Sequence, residues 1–194
     1  MLIQWYGHAS FRLMDSRGVS VITDPYSPER AGFKAFTETS DIVVISSAND
    51  VFHDRADLIP GRPHVINALE LAMNHGGHVT KYDIDFRAIQ AMEHIDHPSG
   101  HPDQNGMYRF MMDGIHIGHM GDMGNALSDD QIAFFQGVDV LLALTGGFPT
   151  LALDDLKVLI DATQPKIIVP MHYRTIRYRP ADILWLQSFL DYFD

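Results

Sequence analysis

Gly114-Ile115-His116-Ile117-Gly118-His119-Met120-Gly121-Asp122-Met123-Gly124-Asn125 is the stretch on which the reading of the chain turns. Ile115 and Ile117 alternate with His116 and Gly118, the period-2 pattern of a strand. The strand then runs into Gly121-Asp122-Met123-Gly124, where two glycines flank a lone carboxylate. Glycines let the backbone approach closely in a tight turn, leaving Asp122 to point out of the strand end. An aspartate so placed is either a turn former bonded to nearby backbone or a ligand. The surrounding chain supplies the context for that choice.

Upstream, residues 107–112 and 115–119 read as a hairpin joined at Asp113-Gly114. At the start of the chain, residues 2–5 and 11–13 read as two strands or as one broken at Gly7-His8. Residues 19–23 form a third strand that stops at Asp24-Pro25, since proline cannot continue the ladder. Ile42-Val43-Val44-Ile45, four consecutive β-branched residues, predict a strand buried on both faces. It breaks at Ser46-Ser47 and leads through Asn49, Asp50 and His53 into a short helical segment over 52–59. A short strand at 65–66 and a helix over 68–74 follow, then two strands between 79 and 95 that feed the polar loop Glu93-His94-Ile95-Asp96-His97.

Ser128-Asp129-Asp130-Gln131 is a capping-box pattern opening a helix. Residues 138–144 make a buried strand, and Leu153, Leu156, Leu159 and Ile160 mark a second helix with Asp154 and Asp155 in its first turn. A last strand over 166–169 ends in Pro170-Met171-His172-Tyr173, and a final helix is expected from Pro180. Polar residues therefore stand just past strands at Asp24, Ser46-Ser47, His94, Asp122 and His172. If those ends share one edge, imidazoles and a carboxylate make a site suited to zinc, manganese or iron. The alternative is an ordinary hydrogen-bonded network.

Composition narrows the field. The 194 residues, 46% hydrophobic, suffice for one domain spanning 1–194. With 14 Lys and Arg against 25 Asp and Glu, the formal charge is −11, which argues against nucleic acid as a partner while leaving room for a local basic pocket that takes a small anion. There is no cysteine, so any metal must rely on N and O donors, and 11 histidines are available. No apolar run approaches the ~20 residues of a membrane span, and the N-terminus lacks the pattern of a signal peptide. A cytoplasmic protein acting on a small molecule is expected.

Trp5-Tyr6-Gly7-His8-Ala9-Ser10-Phe11, Thr23-Asp24-Pro25, Gly121-Asp122-Met123-Gly124 and Ile168-Val169-Pro170-Met171-His172-Tyr173, in this order and spacing, resemble the metallo-β-lactamase fold superfamily. The nearest branch is similar to small metal-dependent hydrolases related to ascorbate-6-phosphate lactonase. The resemblance implies an α+β fold, a four-layer αββα sandwich with metal at one edge. It also implies that His94 is the third-motif histidine followed at its spacing by Asn105, that Asp122 bridges metals, that His172 is the last-motif histidine, and that Asp24 and His8 support the site from behind. The family's His-x-His-x-Asp-His motif is degenerate here. Without a gap its ligand positions fall on Ser47, Asn49, Val51 and Phe52; with one inserted residue, His53 takes the last histidine's place and Asp50 is free to turn inward.

Two functions follow as expectations. In the first, Asp50 or His53 with His94, Asp122 and His172 holds one zinc or manganese ion, which acidifies a water for attack on an ester, lactone or phosphoester, with Asp122 and His172 catalytic. In the second, the fold has lost its metal and binds a small ligand or a partner protein. Ser46-Ser47 lacks the glycine elbow of a nucleophilic serine, and His97 and His101 read as solvated-loop residues.

Overall fold

The computed structural model describes residues 1–48 and 50–193, so the expectation for Asn49 lies outside the described residues. Its first sheet holds five strands side by side in chain order: β1 (Leu2–Gly7), β2 (Ser10–Met14), β3 (Ser20–Thr23), β4 (Ile42–Ile45) and β5 (His64–Asn67). The second holds six, also in chain order: β6 (His78–Lys81), β7 (Ile84–Ala91), β8 (Asn105–Met112), β9 (Ile115–His119), β10 (Val140–Leu144) and β11 (Ile167–Met171). Among the described residues the helices are α1 (Pro28–Ala31), α2 (Ala68–Asn74), α3 (Asp129–Phe134), α4 (Leu153–Thr163) and α5 (Leu186–Phe193). This is the four-layer αββα architecture.

The residues of β4 show how the layers form. Ile42 and Val44 join the large core that Phe11, Leu13, Met107, Ile117 and Leu142 build from both sheets. Val43 and Ile45 turn to the other face, into a second cluster with Ile22, Tyr26, Phe36 and Ile59. A strand apolar on both faces suits a position between two cores. On the far side of the second sheet, Phe135 after α3, Leu156 and Leu159 of α4 and Phe189 of α5 complete the large core.

Local signals place the turns. Asp113 and Gly114 have φ of 51° and 75°, the paired positive values of a type I′ hairpin between β8 and β9. Ser128 and Gln131 form the reciprocal capping box at the start of α3.

Three boundaries differ from expectation. The helical segment over 52–59 contracts to one 3₁₀ turn, Ala56–Leu58, because Asp50 organises a tight turn ahead of it. Strand β11 continues through Pro170 to Met171, which an edge strand tolerates because proline's missing donor faces no neighbour. The last helix starts at Leu186, not Pro180, since Arg174 and Leu184 first pair through the backbone, Arg174 N–H donating to the Leu184 carbonyl at 2.7 Å. No described helix is long and apolar enough to cross a membrane.

Candidate metal centre

The C-terminal ends of β3, β4, β9 and β11 and the β1–β2 turn meet at one edge. After β4, the Phe52 N–H donates to Asp50 Oδ1 at 2.9 Å and the Asp54 N–H to the Asp50 carbonyl at 2.9 Å. That turn carries His53 inward to full burial. Asp24, at the end of β3, is also fully buried, accepting from Ser46 Oγ at 2.6 Å and bonding His53 Nδ1 at 2.9 Å. With Nδ1 so held, His53 has only Nε2 left to offer, on the side of Asp50 and Asp122, and the partner on the opposite nitrogen fixes the ring.

Asp122 arrives from the turn after β9. Asn105 pins that turn: its Nδ2 donates to the Met120 carbonyl at 3.1 Å and its Oδ1 accepts from the Asp122 N–H at 2.8 Å. A Cβ on Gly121 would lie 2.1 Å from Asn105 Oδ1, and one on Gly124 2.1 Å from the Glu93 carbonyl oxygen, so both glycines serve close backbone approach. His172 follows β11, its N–H donating to the His8 carbonyl at 3.2 Å, which ties the second sheet to the first at this edge.

The donor atoms converge. His8, His53 and His172 form one group, and Asp50, His53 and Asp122 another, with ligand atoms inside each group within 4.8 Å of one another. His53 Nε2 lies 3.4 Å from Asp122 Oδ2 and 3.9 Å from Asp50 Oδ2; His172 Nε2 lies 3.2 Å from Asp122 Oδ1. Among the described residues, both nitrogens of His8 and His172 Nδ1 are buried without a hydrogen-bond partner, and the Asp122 carboxylate meets only the two imidazoles. Buried polar atoms are nearly always paired, so nitrogen and oxygen donors gathered this closely with unsatisfied nitrogens among them fit the requirements of a cation. A set of imidazole nitrogens and carboxylate oxygens with no thiolate suits zinc or manganese.

Charge is tightly coupled here. Burial works against a protonated His53, but Asp122, Asp24 and Asp50 outweigh it and push the imidazole up to about 10. Burial likewise opposes ionised Asp122, yet His53 and His172 hold that carboxyl well below the usual range. His8 is pushed far down by burial and by the His172 and His53 rings. Backbone strain gathers at the same place: His8, Asp24 and His172 have φ of 53°, 37° and 55°, in the left-handed region that non-glycine residues avoid.

Sequence reasoning grouped Asp50, His53, Asp122 and His172, and the fold brings all four together. It put His8 behind the site, whereas the structure sets its ring centroid 4.0 Å from that of His172, among the donors. It also chose His94, which lies outside both donor groups, half-buried, with Nδ1 accepting from the Asp96 N–H at 3.1 Å, but within electrostatic reach of Asp122. The neighbouring Glu93 also lies within electrostatic reach of Asp122, His53 and Asp50. Burial together with the Asp122 charge pushes its carboxyl up to about 8. Counting by twos from buried Ala91 selects Glu93, but inward residues change parity between Ala88 and Ala91, which hides that signal in the sequence. His97, read as solvated, sits with Nε2 3.3 Å from Glu93 Oε1.

Two layered sheets with an N/O donor cluster at one edge define the metallo-β-lactamase class of protein. The profile of the β-lactamase superfamily domain matches residues 2–172, and the chain belongs to that family. It is 28% identical over 202 residues to a UPF0173 metal-dependent hydrolase of Thermoplasma acidophilum, covering 93% of this chain and 86% of the relative. It superposes on a protein described as a Zn-dependent hydrolase of the metallo-β-lactamase superfamily from Thermotoga maritima with a TM-score of 0.78 and 29% identity, over 99% of this chain and 85% of that one. The fold is shared with Igni18, a metallo hydrolase of Ignicoccus hospitalis, at a TM-score of 0.70 and 18% identity, over 98% of this chain and 90% of that one.

Proposed function

We propose that this chain is a metal-dependent hydrolase of an ester, lactone or phosphoester, working with a single divalent ion, zinc or manganese. The observation that carries the reading is the convergence of donors: His53 Nε2 lies 3.4 Å from Asp122 Oδ2, His172 Nε2 lies 3.2 Å from Asp122 Oδ1, and Asp50 and His8 complete the two donor groups. The two donor groups share His53, and its Nδ1 is already committed to Asp24. Its one free nitrogen cannot serve two ions as a terminal ligand. Asp50, His53, Asp122 and His172 are the residues that would hold the ion, which when bound supplies Lewis-acid polarisation and an acidified water.

The chain's own groups prepare the rest. Asp24 fixes the His53 ring so that Nε2 faces the donors. Asp122, ionised at neutral pH, offers a carboxylate that accepts or orients a proton. Glu93 keeps its proton at neutral pH, which limits the negative charge collected beside Asp50 and Asp122.

A second reading, a binding protein that has lost its metal, draws on Ser47, whose buried hydroxyl occupies a position where the family motif has histidine. Metal analysis of tag-free protein, with turnover of carboxylic esters, lactones and phosphoesters, separates the two. One equivalent of metal with turnover supports the hydrolase. Two equivalents overturn the single-ion reading, and no metal with no turnover favours the binding protein.

A further inference from the structure

Beside the metal edge lies a pocket of about 430 Å³ lined by Glu29, Arg30, Phe52, Arg177, Tyr178 and Arg179. In a chain of formal charge −11, three arginines in one concavity are a local reversal of sign. The backbone presents them deliberately. Thr175 Oγ1 accepts from the N–H groups of Arg177 at 3.1 Å and Tyr178 at 2.9 Å, and the Thr175 N–H donates to the Tyr178 carbonyl at 2.8 Å. This tight turn leaves Arg177 and Arg179 exposed while Tyr178 is buried.

None of the arginine ion pairs found among the described residues involves Arg30, Arg177 or Arg179, although Arg179 Nε donates to the Ile176 carbonyl and leaves its two terminal nitrogens for a ligand. Glu29 also lines the pocket, and its charge is drawn on by Arg55. The pocket and the donors share a wall. Phe52 stacks on His8 with ring centroids 5.3 Å apart, and the Tyr178 ring lies 4.7 Å from His8 and 6.1 Å from His172. A molecule lying across Phe52 and Tyr178 would place one end among guanidinium groups and the other at the metal edge.

We propose that this pocket is a substrate subsite for an anionic group, a phosphate or carboxylate, carried on the molecule whose ester or lactone bond is hydrolysed. Planar guanidinium forks bind such oxyanions in bidentate fashion, and binding energy gained at a remote group can orient the scissile bond. The proposal rests on the hydrolase reading, but its first test does not use activity.

That test titrates the metal-free full-length chain with inorganic phosphate by calorimetry, comparing wild type with the Arg177→Gln/Arg179→Gln double variant and with Lys157→Gln, a control in the distant α4. Wild type and the control should bind phosphate alike, and the double variant should bind about tenfold more weakly, as expected for the loss of charge-assisted contacts. Equal binding by all three overturns the proposal. The second test compares KM for a phosphorylated ester with KM for its neutral analogue on metal-loaded protein. A preference for the anionic ester in wild type that shrinks about tenfold in the double variant supports a substrate subsite. Phosphate binding without any such preference overturns it in favour of a site for free anion. Intact phosphate binding with no turnover of any ester defeats the hydrolase reading instead.

Discussion

Asp113 and Asp122 stand beside glycines at the two ends of β9, and they have opposite fates. Asp113 is satisfied: it accepts from Ser16 Oγ at 2.7 Å and the Ser16 N–H at 3.0 Å, and pairs with the N-terminal amine at 3.0 Å. Those hydrogen bonds lower its carboxyl to about 2. Among the described residues, the Asp122 side chain has no hydroxyl or backbone N–H of this kind and meets imidazoles only. Asn105 takes its backbone N–H, and its carboxylate oxygens are left to two imidazoles, His53 at 3.4 Å and His172 at 3.2 Å. Similar Gly-Asp chemistry yields a closed turn at one end and a carboxylate among imidazoles at the other, because the fold brings different partners to each.

The largest effect expected from breaking this contrast is on activity. Asp122→Asn should lower kcat/KM at least about a hundredfold, the range for a positioned acid or base, and weaken metal binding, whereas Asp113→Asn should leave both near wild type. Initial rates and zinc titrations on the two variants check this; equal effects would mean that the two turns are equivalent after all.

Next in size is Asp24→Ala. Asp24 is fully buried and holds both Ser46 and His53, so its removal should cost about 3–5 kcal/mol, the range for stranding one partner of a buried ion pair. Urea denaturation measures it. A loss under about 1 kcal/mol, typical of an exposed pair, would show that His53 does not depend on Asp24.

The contrast also marks what the sequence can carry. The two-faced burial of β4, the Asp113-Gly114 hairpin, the Ser128 capping box and the close approach at Gly121 and Gly124 were legible, since each is a local pattern with a local cause. The inward turn of His53 depended on an insertion whose register is fixed only when Asp24 arrives from β3. The left-handed conformations of His8, Asp24 and His172 are imposed by tertiary contacts on residues that do not prefer them. Glu93, close enough for the Asp122 charge to act on it, was hidden by the change of parity in β7.

A smaller effect is expected in the pH dependence of the metal-free protein. His53, raised from an ordinary value near 6.5 to about 10, contributes stability that is complete below about 6.5 and lost as pH rises through about 10. Glu93, raised to about 8, acts in the same direction at lower pH, its contribution fading between about 4.3 and about 8. Below about 6.5, buried neutral His8 works the other way, since the unfolded chain takes up a proton that the fold refuses. Urea midpoints with chelator should therefore fall from about pH 7 to 10. A flat profile there would mean that His53 is neutral, and bound zinc should reduce the slope by displacing its proton.

The smallest effect belongs to the other end of β9. Asp113 has its pKa depressed, so its contribution is present above about 3.9 and lost as pH falls through about 2. It is exposed and screened, and Asp113→Asn should lower the melting temperature only slightly at neutral pH. Near pH 2 the wild-type carboxylate is half protonated, and the difference between variant and wild type should shrink toward zero. Raised salt at neutral pH should also reduce the part due to the N-terminal amine while sparing the hydrogen bonds from Ser16. A difference that persists unchanged at pH 2 would mean that the asparagine perturbs the left-handed turn conformation at position 113 itself, and that this end of β9 is held by backbone geometry instead of by charge.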